Sequence, residues 1–243
     1  MIGRRGMLAI TMALVSGCRP AAPAPLTLFA AASLTDAVTE LAAKFQAEGR
    51  GALRTVFAGS GELARQLLAG APADLVVLAD DLWMGRLARE GAIRADSQVT
   101  LLTNSLVVIA PSDRPVASFS WDGRVAIGDP ESVPAGRYAR EMLQRSGAWD
   151  TVSANLILAG DVRAVRAFVA RGEVDLGIVY RSDTLGFDAA RVVNVPVAAV
   201  QPDIAYPAAL TATAAREAGT LMAFLRSEAA RVVFTRHGFG PGR

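Results

Sequence analysis

Short apolar runs alternate with amphipathic stretches along almost the whole chain, and this alternation constrains the fold more than any other feature. Residues 26–31 read as a strand. Residues 34–46 read as a helix with apolar side chains at 34, 37, 38, 41, 42 and 45, the spacing that lines one helix face. Residues 55–57 and 75–78 are predicted strands, followed by helices over 62–69 and 82–90. A second series begins near Asn104. Its predicted strands are 106–110, 124–127, 155–158, 176–180, 192–195 and 204–210, with helices over 136–144, 162–170, 214–226 and 228–237. Such alternation implies α/β architecture, with mostly parallel sheets and helices on both faces. No Gly/Ser linker separates the two series, so they are expected to form two lobes joined by crossing strands. The expected division is 26–103 with 204–243 as lobe I and 104–203 as lobe II. A chain of 243 residues has room for two lobes of about 100–120 residues each.

Four places share one local design, in which a strand ends, small or hydroxyl residues follow, and a helix begins. They are Ala30-Ala31-Ala32-Ser33-Leu34-Thr35-Asp36, Ala58-Gly59-Ser60-Gly61-Glu62, Ser132-Val133-Pro134-Ala135-Gly136 and Gly160-Asp161-Val162-Arg163. A helix start leaves backbone N–H groups without partners, and the positive end of the helix dipole favours an anion there. Ser33 and Ser60 add hydroxyl donors. Pro134 suits a first helical turn, and Gly136 is expected to let a ligand approach the backbone. Taken singly, each site reads as ordinary capping: Ser33 with Asp36 as a capping box, Asp161 as an N-cap. Four together, at the carboxyl ends of strands, point to a small oxyanion.

Composition narrows the function classes. Hydrophobic residues make up 52% and charged residues 20%, which excludes a disordered chain. The net charge of +2 comes from 25 basic and 23 acidic side chains. Residues 1–17 hold Arg4 and Arg5 and no acid, so without them 23 basic side chains face 23 acidic ones. Nothing in that balance suggests nucleic acid. The start itself reads as an export signal: a basic pair, then an apolar run over 7–15 too short to span a bilayer. It ends in Val15-Ser16-Gly17-Cys18, which resembles a bacterial lipoprotein signal, with Cys18 as the lipidated first residue of the mature chain. Arg4-Arg5 also partly match a twin-arginine signal. Residues 18–25, with Pro20, Pro23 and Pro25, read as a short tether.

Enzyme chemistry has little to work with. Cys18 is the single cysteine and His237 the single histidine, there is no G-x-S-x-G elbow, and no His-rich metal site can form. His237 is expected to face the negative end of the closing helix. Trp83, Trp121 and Trp149 are read as packing residues, since nothing basic interleaves with them. Arg65 and Arg163 are expected to be solvent-facing or ion-paired, and Asp129 and Asp161 to fix loop geometry.

The motifs in order carry a resemblance. Phe29-Ala-Ala-Ala-Ser-Leu-Thr35, Phe57-Ala-Gly-Ser-Gly-Glu-Leu-Ala-Arg-Gln66, Gly70-Ala-Pro-Ala-Asp74 and Asn104-Ser-Leu-Val-Val-Ile-Ala-Pro111 come first. Ile127-Gly-Asp-Pro130, Val133-Pro-Ala-Gly136, Asp161-Val-Arg163, Gly177-Ile-Val-Tyr180, Tyr206-Pro207 and Gly238-Phe239 complete the set. Together they resemble the periplasmic molybdate-binding proteins, the substrate-binding components of ABC importers. The resemblance implies a two-lobe periplasmic-binding-protein fold of type II, each lobe a mixed, mostly parallel sheet flanked by helices, with ligand in the interlobe cleft. It implies that Ser33 and Ser60 from one lobe, and the amides of Ala135 and Val162 with the Tyr180 hydroxyl from the other, hold the oxyanion. Molybdate or tungstate would be cargo rather than cofactor, bound as an oxyanion without direct cation ligands. The implied partners are a permease with its ATPase. The protein would be a monomer, exported to the periplasm or cell surface and attached to the membrane through Cys18. Gly59 and Gly61 depart from relatives that carry hydroxyl residues beside the serine. Sulfate and phosphate stay open as alternative ligands, with Asp161 the nearest acceptor for a phosphate proton. A ferric site would want adjacent tyrosines, and Tyr180 is followed by Arg181.

Overall fold

The computed structural model describes residues 24–114 and 119–242. The expected signal segment, Cys18 and most of the tether lie outside the described residues.

The first half opens with β1 (Leu26–Ala31), a 3-10 turn over Ala32–Leu34 and α1 (Thr35–Ala47), then β2 (Leu53–Ala58) and α2 (Ser60–Leu68). β3 (Leu75–Val77), α3 (Asp81–Arg89) and β4 (Val99–Asn104) follow, and β5 (Leu106–Pro111) begins a single residue after β4 ends. Next come β6 (Val125–Gly128), α4 (Pro134–Arg145), α5 (Trp149–Ser153), β7 (Leu156–Ala159), α6 (Val162–Ala170), β8 (Leu176–Tyr180) and β9 (Ala190–Asn194). The chain returns through β10 (Ile204–Leu210), α7 (Ala218–Leu225), α8 (Glu228–Arg236) and the short β11 (Gly240–Pro241).

These strands build two sheets, ordered β11-β4-β10-β3-β1-β2 and β7-β6-β8-β5-β9. In the first sheet β2, β1 and β3 run parallel while β10 is antiparallel to both β3 and β4. In the second, β7, β6 and β8 run parallel and β5 is antiparallel to β8 and β9. Each sheet is therefore mixed with most strands pointing one way, as the alternation implies. Helices cover the faces with their apolar sides: Phe45 of α1 meets Phe224 of α7 edge-on at 5.2 Å.

The chain crosses between the sheets at Ser105 and again between Asn194 and Ile204. The side chain of Gln201, on the second crossing, pairs with Leu106 on the first. Leu106 N–H donates to Gln201 Oε1 at 2.9 Å, and Gln201 Nε2 donates to the Leu106 carbonyl at 2.8 Å. A side-chain amide thus completes a strand-like pair that ties the two crossings together.

Several expectations change, among them the short helix α5 and an α4 that starts at Pro134 rather than 136. The strand over Val99–Asn104 is absent from the sequence reading because its half-buried pattern has no clean alternation. α2 starts at Ser60 rather than Glu62, which brings Ser60 into the first turn. α7 starts at Ala218 rather than 214, because Asp74 takes the Ala215 N–H at 2.8 Å and Arg94 takes the Ala214 carbonyl at 2.7 Å. Among the described residues no helix is long and apolar enough to cross a membrane.

Candidate functional site

The four strand-to-helix junctions converge on one tight cavity between the two sheets, with about 10 Å³ of free volume. One side is lined by Ala31, Ala32, Ser33, Gly59, Ser60 and Ala79; the other by Val133, Pro134, Ala135, Asp161, Val162 and Tyr180. Ser33, Ser60, Ala135, Val162 and Tyr180 are thereby brought together from sequence positions far apart.

Each junction is shaped by local chemistry. Gly59 is extended and places Ser60 first in α2, where its hydroxyl makes no capping bond. The Ala79 N–H instead donates to Ser60 Oγ at 3.0 Å. Ser33 sits inside the 3-10 turn with its hydroxyl 3.0 Å from Tyr206 Oη. The capping box expected for Ser33 and Asp36 is therefore not formed: Ser33 faces Tyr206, and Asp36 receives Arg163 Nη2 at 2.6 Å. Asp161 is the N-cap expected, accepting from Ala164 N–H at 2.8 Å. Asp129 holds the loop before α4, accepting from Glu131 N–H at 3.0 Å and from the Ser132 hydroxyl at 2.8 Å. Val162 opens α6 and Ala135 is second in α4, so neither N–H has an intrahelical acceptor.

Gly136 plays a different part from the one expected. It does not line the cavity; the Gly128 carbonyl occupies the place a Cβ would need. The glycine lets α4 pack onto the end of β6, so what approaches its backbone is Gly128 and not a ligand. Gly59 and Gly61 also carry neighbours across the cleft. A Cβ at Gly59 would meet the Gly160 carbonyl at 2.8 Å, and one at Gly61 would strike the Ser132 carbonyl. Where hydroxyl-bearing side chains would sit, the opposite lobe's backbone fits instead.

The polar balance of the lining is one-sided. Tyr180 is buried and its hydroxyl has no hydrogen-bond partner among the described residues. Burial pushes its phenol well above the ordinary range, so it keeps its proton. No Lys or Arg lines the cavity; the one charged residue there, Asp161, is committed to capping α6. The cationic side chains act at the margins. Arg163 reaches from α6 to Asp36 and to the Ala32 carbonyl at 3.3 Å, and Arg137 of α4 pairs with buried Asp80. Among the described residues no group of His, Cys, Asp or Glu side chains could hold a metal ion.

Several residues around the site escaped sequence reasoning. Asn104 donates to Tyr206 Oη at 3.3 Å and to Ser182 Oγ at 2.9 Å. Asp183 is buried behind Tyr180, accepts from its N–H at 3.3 Å, and lies 3.9 Å from Arg166. Burial pushes the Asp183 carboxyl up to about 7 against the opposing pull of Arg163 and Arg166. Only Tyr206 and Asn104 had a signal, as members of motifs without an assigned role. Elsewhere expectation and structure agree: Arg163 is ion-paired, exposed Arg65 stands over Trp83 at 5.9 Å, and Trp83 is buried. His237 closes α8 and meets Glu40 Oε2 at 2.9 Å.

Residues 26–240 match the family model described as bacterial extracellular solute-binding protein. The chain is 41% identical to the molybdate-binding protein ModA of Escherichia coli strain K12, over 93% of this chain and 92% of that protein. It is 33% identical to a putative ABC transporter substrate-binding lipoprotein, YvgL, of Bacillus subtilis strain 168, covering 88% and 85%. Among solved structures it resembles the substrate-binding domain of a putative molybdenum ABC transporter from Clostridium difficile. That likeness has a TM-score of 0.69 at 32% identity, covering 89% of this chain and 98% of that one.

Proposed function

The chain belongs to the bacterial extracellular solute-binding proteins, within the group of the molybdate-binding proteins, and on that premise we propose that it is the extracytoplasmic receptor of an ABC importer. Its cargo is molybdate, with tungstate as a close match in size and shape. It captures the oxyanion between two lobes, 26–103 with 204–243 and 104–203, and hands it to a permease served by an ATPase. The protein has no catalytic role in this reading, and the oxyanion is transported rather than kept as a cofactor.

One observation carries the proposal: a cavity at the meeting of four helix starts, lined by hydroxyls and first-turn amides and by no cation. A fully deprotonated tetrahedral dianion has only acceptors to offer. N–H and O–H donors satisfy it without leaving an acceptor of the protein unpaired. Ser33, Ser60, the amides of Ala135 and Val162, and the Tyr180 hydroxyl are the proposed contacts. The Tyr180 hydroxyl, buried without a partner, gains one when the anion binds.

Anchoring through acylated Cys18 is part of the same proposal, in keeping with the description of YvgL as a lipoprotein. Mass spectrometry of the mature N-terminus is expected to find acyl chains on Cys18; a free N-terminus further along the chain would refute it. Isothermal titration of the purified protein with molybdate, tungstate, sulfate and phosphate tests the cargo. The first two should bind much more tightly than the others. Sulfate binding equal to or tighter than molybdate would overturn the assignment while leaving the fold untouched.

A further inference from the structure

A hydroxyl donates or accepts with equal ease, so two serines do not by themselves make a donor site. At Ser60 the backbone settles the matter: Ala79 N–H donates to Oγ at 3.0 Å, and the serine proton is left to point elsewhere. At Ser33 the direction is set through a longer path. Ser105 N–H donates to Asn104 Oδ1 at 2.9 Å, which identifies the oxygen end of that amide. The nitrogen end then faces Ser182 Oγ at 2.9 Å and Tyr206 Oη at 3.3 Å. Tyr206 is wholly buried, and burial raises its phenol far above the ordinary range, so it always carries its proton. Having accepted from Asn104, Tyr206 has one proton to give, and Ser33 Oγ lies 3.0 Å away. Ser33, having accepted in turn, presents its own proton to the cavity it lines.

We propose that Asn104 and Tyr206 are positioning residues that hold Ser33 as a donor, and that this relay makes the site select oxyanions lacking a proton over those that carry one. A hydrogen phosphate dianion needs an acceptor for its P–OH; a Ser33 locked as donor offers none, and the one carboxylate in the lining, Asp161, is already engaged in capping α6. Both relay residues lie on the crossing regions, Asn104 at the end of β4 and Tyr206 on β10. The strands that connect the lobes thus also set the polarity of the site. The inference rests on the oxyanion-receptor reading above.

The test is calorimetric titration of the wild-type protein, Tyr206→Phe and Asn104→Asp with molybdate and with inorganic phosphate. At about pH 8 phosphate is mostly the hydrogen phosphate dianion. The two anions differ in size as well as in the proton, but that difference cancels when the affinity ratio is compared between variants. Tyr206→Phe frees the Ser33 hydroxyl to turn, and is expected to narrow the molybdate-to-phosphate ratio by about tenfold. Asn104→Asp accepts where Asn104 donates, reverses the relay, and is expected to narrow the ratio further. Circular dichroism identifies a variant that fails to fold, and the other then decides. An equal loss for both anions, leaving the ratio as in wild type, overturns the proposal. Failure of the wild-type protein to bind molybdate would instead overturn the receptor reading itself.

Discussion

The half of the cavity carried by β1, β2 and β3 offers side-chain hydroxyls, whereas the half carried by β6, β7 and β8 offers backbone amides and one phenol. The hydroxyls of Ser33 and Ser60 are aimed by outside partners, Tyr206 and the Ala79 N–H. The amides of Ala135 and Val162 are aimed by the helices that contain them, and those helices by packing. One half therefore gives way to the loss of a single side chain. The other gives way when a helix moves.

The largest effect is expected where a helix is forced to move. Gly136→Ala places a methyl group on the Gly128 carbonyl. Overpacking of that kind should cost about 3 kcal/mol of stability in urea unfolding and displace the Ala135 amide, abolishing molybdate binding. A variant that folds and binds like wild type would show that packing of α4 onto β6 does not hold the amide half in place.

Asp183 behind Tyr180 gives that half a pH signature. Its carboxyl titrates near 3.8 when unfolded and is pushed up to about 7 by burial in the fold. Between those values the folded state keeps a proton that the unfolded chain releases, so stability falls as pH rises from about 4 to about 7 and levels off above. Asp183→Asn should remove this part of the slope. Urea midpoints at acid and alkaline pH check it, and parallel pH slopes for the two proteins would contradict it.

Ser60→Ala and Tyr180→Phe separate the halves most clearly. Ser60→Ala removes a ligand donor and the acceptor of Ala79 N–H, so binding should weaken by about 1–3 kcal/mol and stability should fall. Tyr180→Phe removes a hydroxyl that is buried without a partner before ligand arrives. It should weaken binding by about 1–2 kcal/mol while raising the stability of the free protein by up to about 1 kcal/mol. Thermal unfolding with and without molybdate reads both signs; stability changes of the same sign would erase the distinction.

Smallest of all is the marginal ion pair. Arg163 and Asp36 are 28% and 53% exposed, so Arg163→Ala should cost about 0.5 kcal/mol of affinity. A tenfold loss would move Arg163 from the rim into the site.

What was legible in the sequence follows the range of the interactions. Strand ends, helix starts and the Asp161 cap depend on neighbours a few residues apart, and they were read with small errors of boundary. The β4 strand, half-buried and irregular, was not. Ser33 was read through its local neighbour Asp36, but its partner Tyr206 is 173 positions away. Asp80 with Arg137, and Asp183 with Arg166, likewise join residues that no local pattern couples. A glycine at a helix start, such as Gly136, allows close approach, but that what approaches is Gly128 depends on how β6 meets α4.

The most direct measurement is a high-resolution structure of the protein with molybdate bound. The expected result is an anion in the cavity within hydrogen-bond distance of Ser33 Oγ, Ser60 Oγ, the Ala135 and Val162 N–H groups and Tyr180 Oη, with no arginine in contact. An anion seated on Arg137 or Arg163, or bound outside the cavity, would contradict a site built from neutral donors.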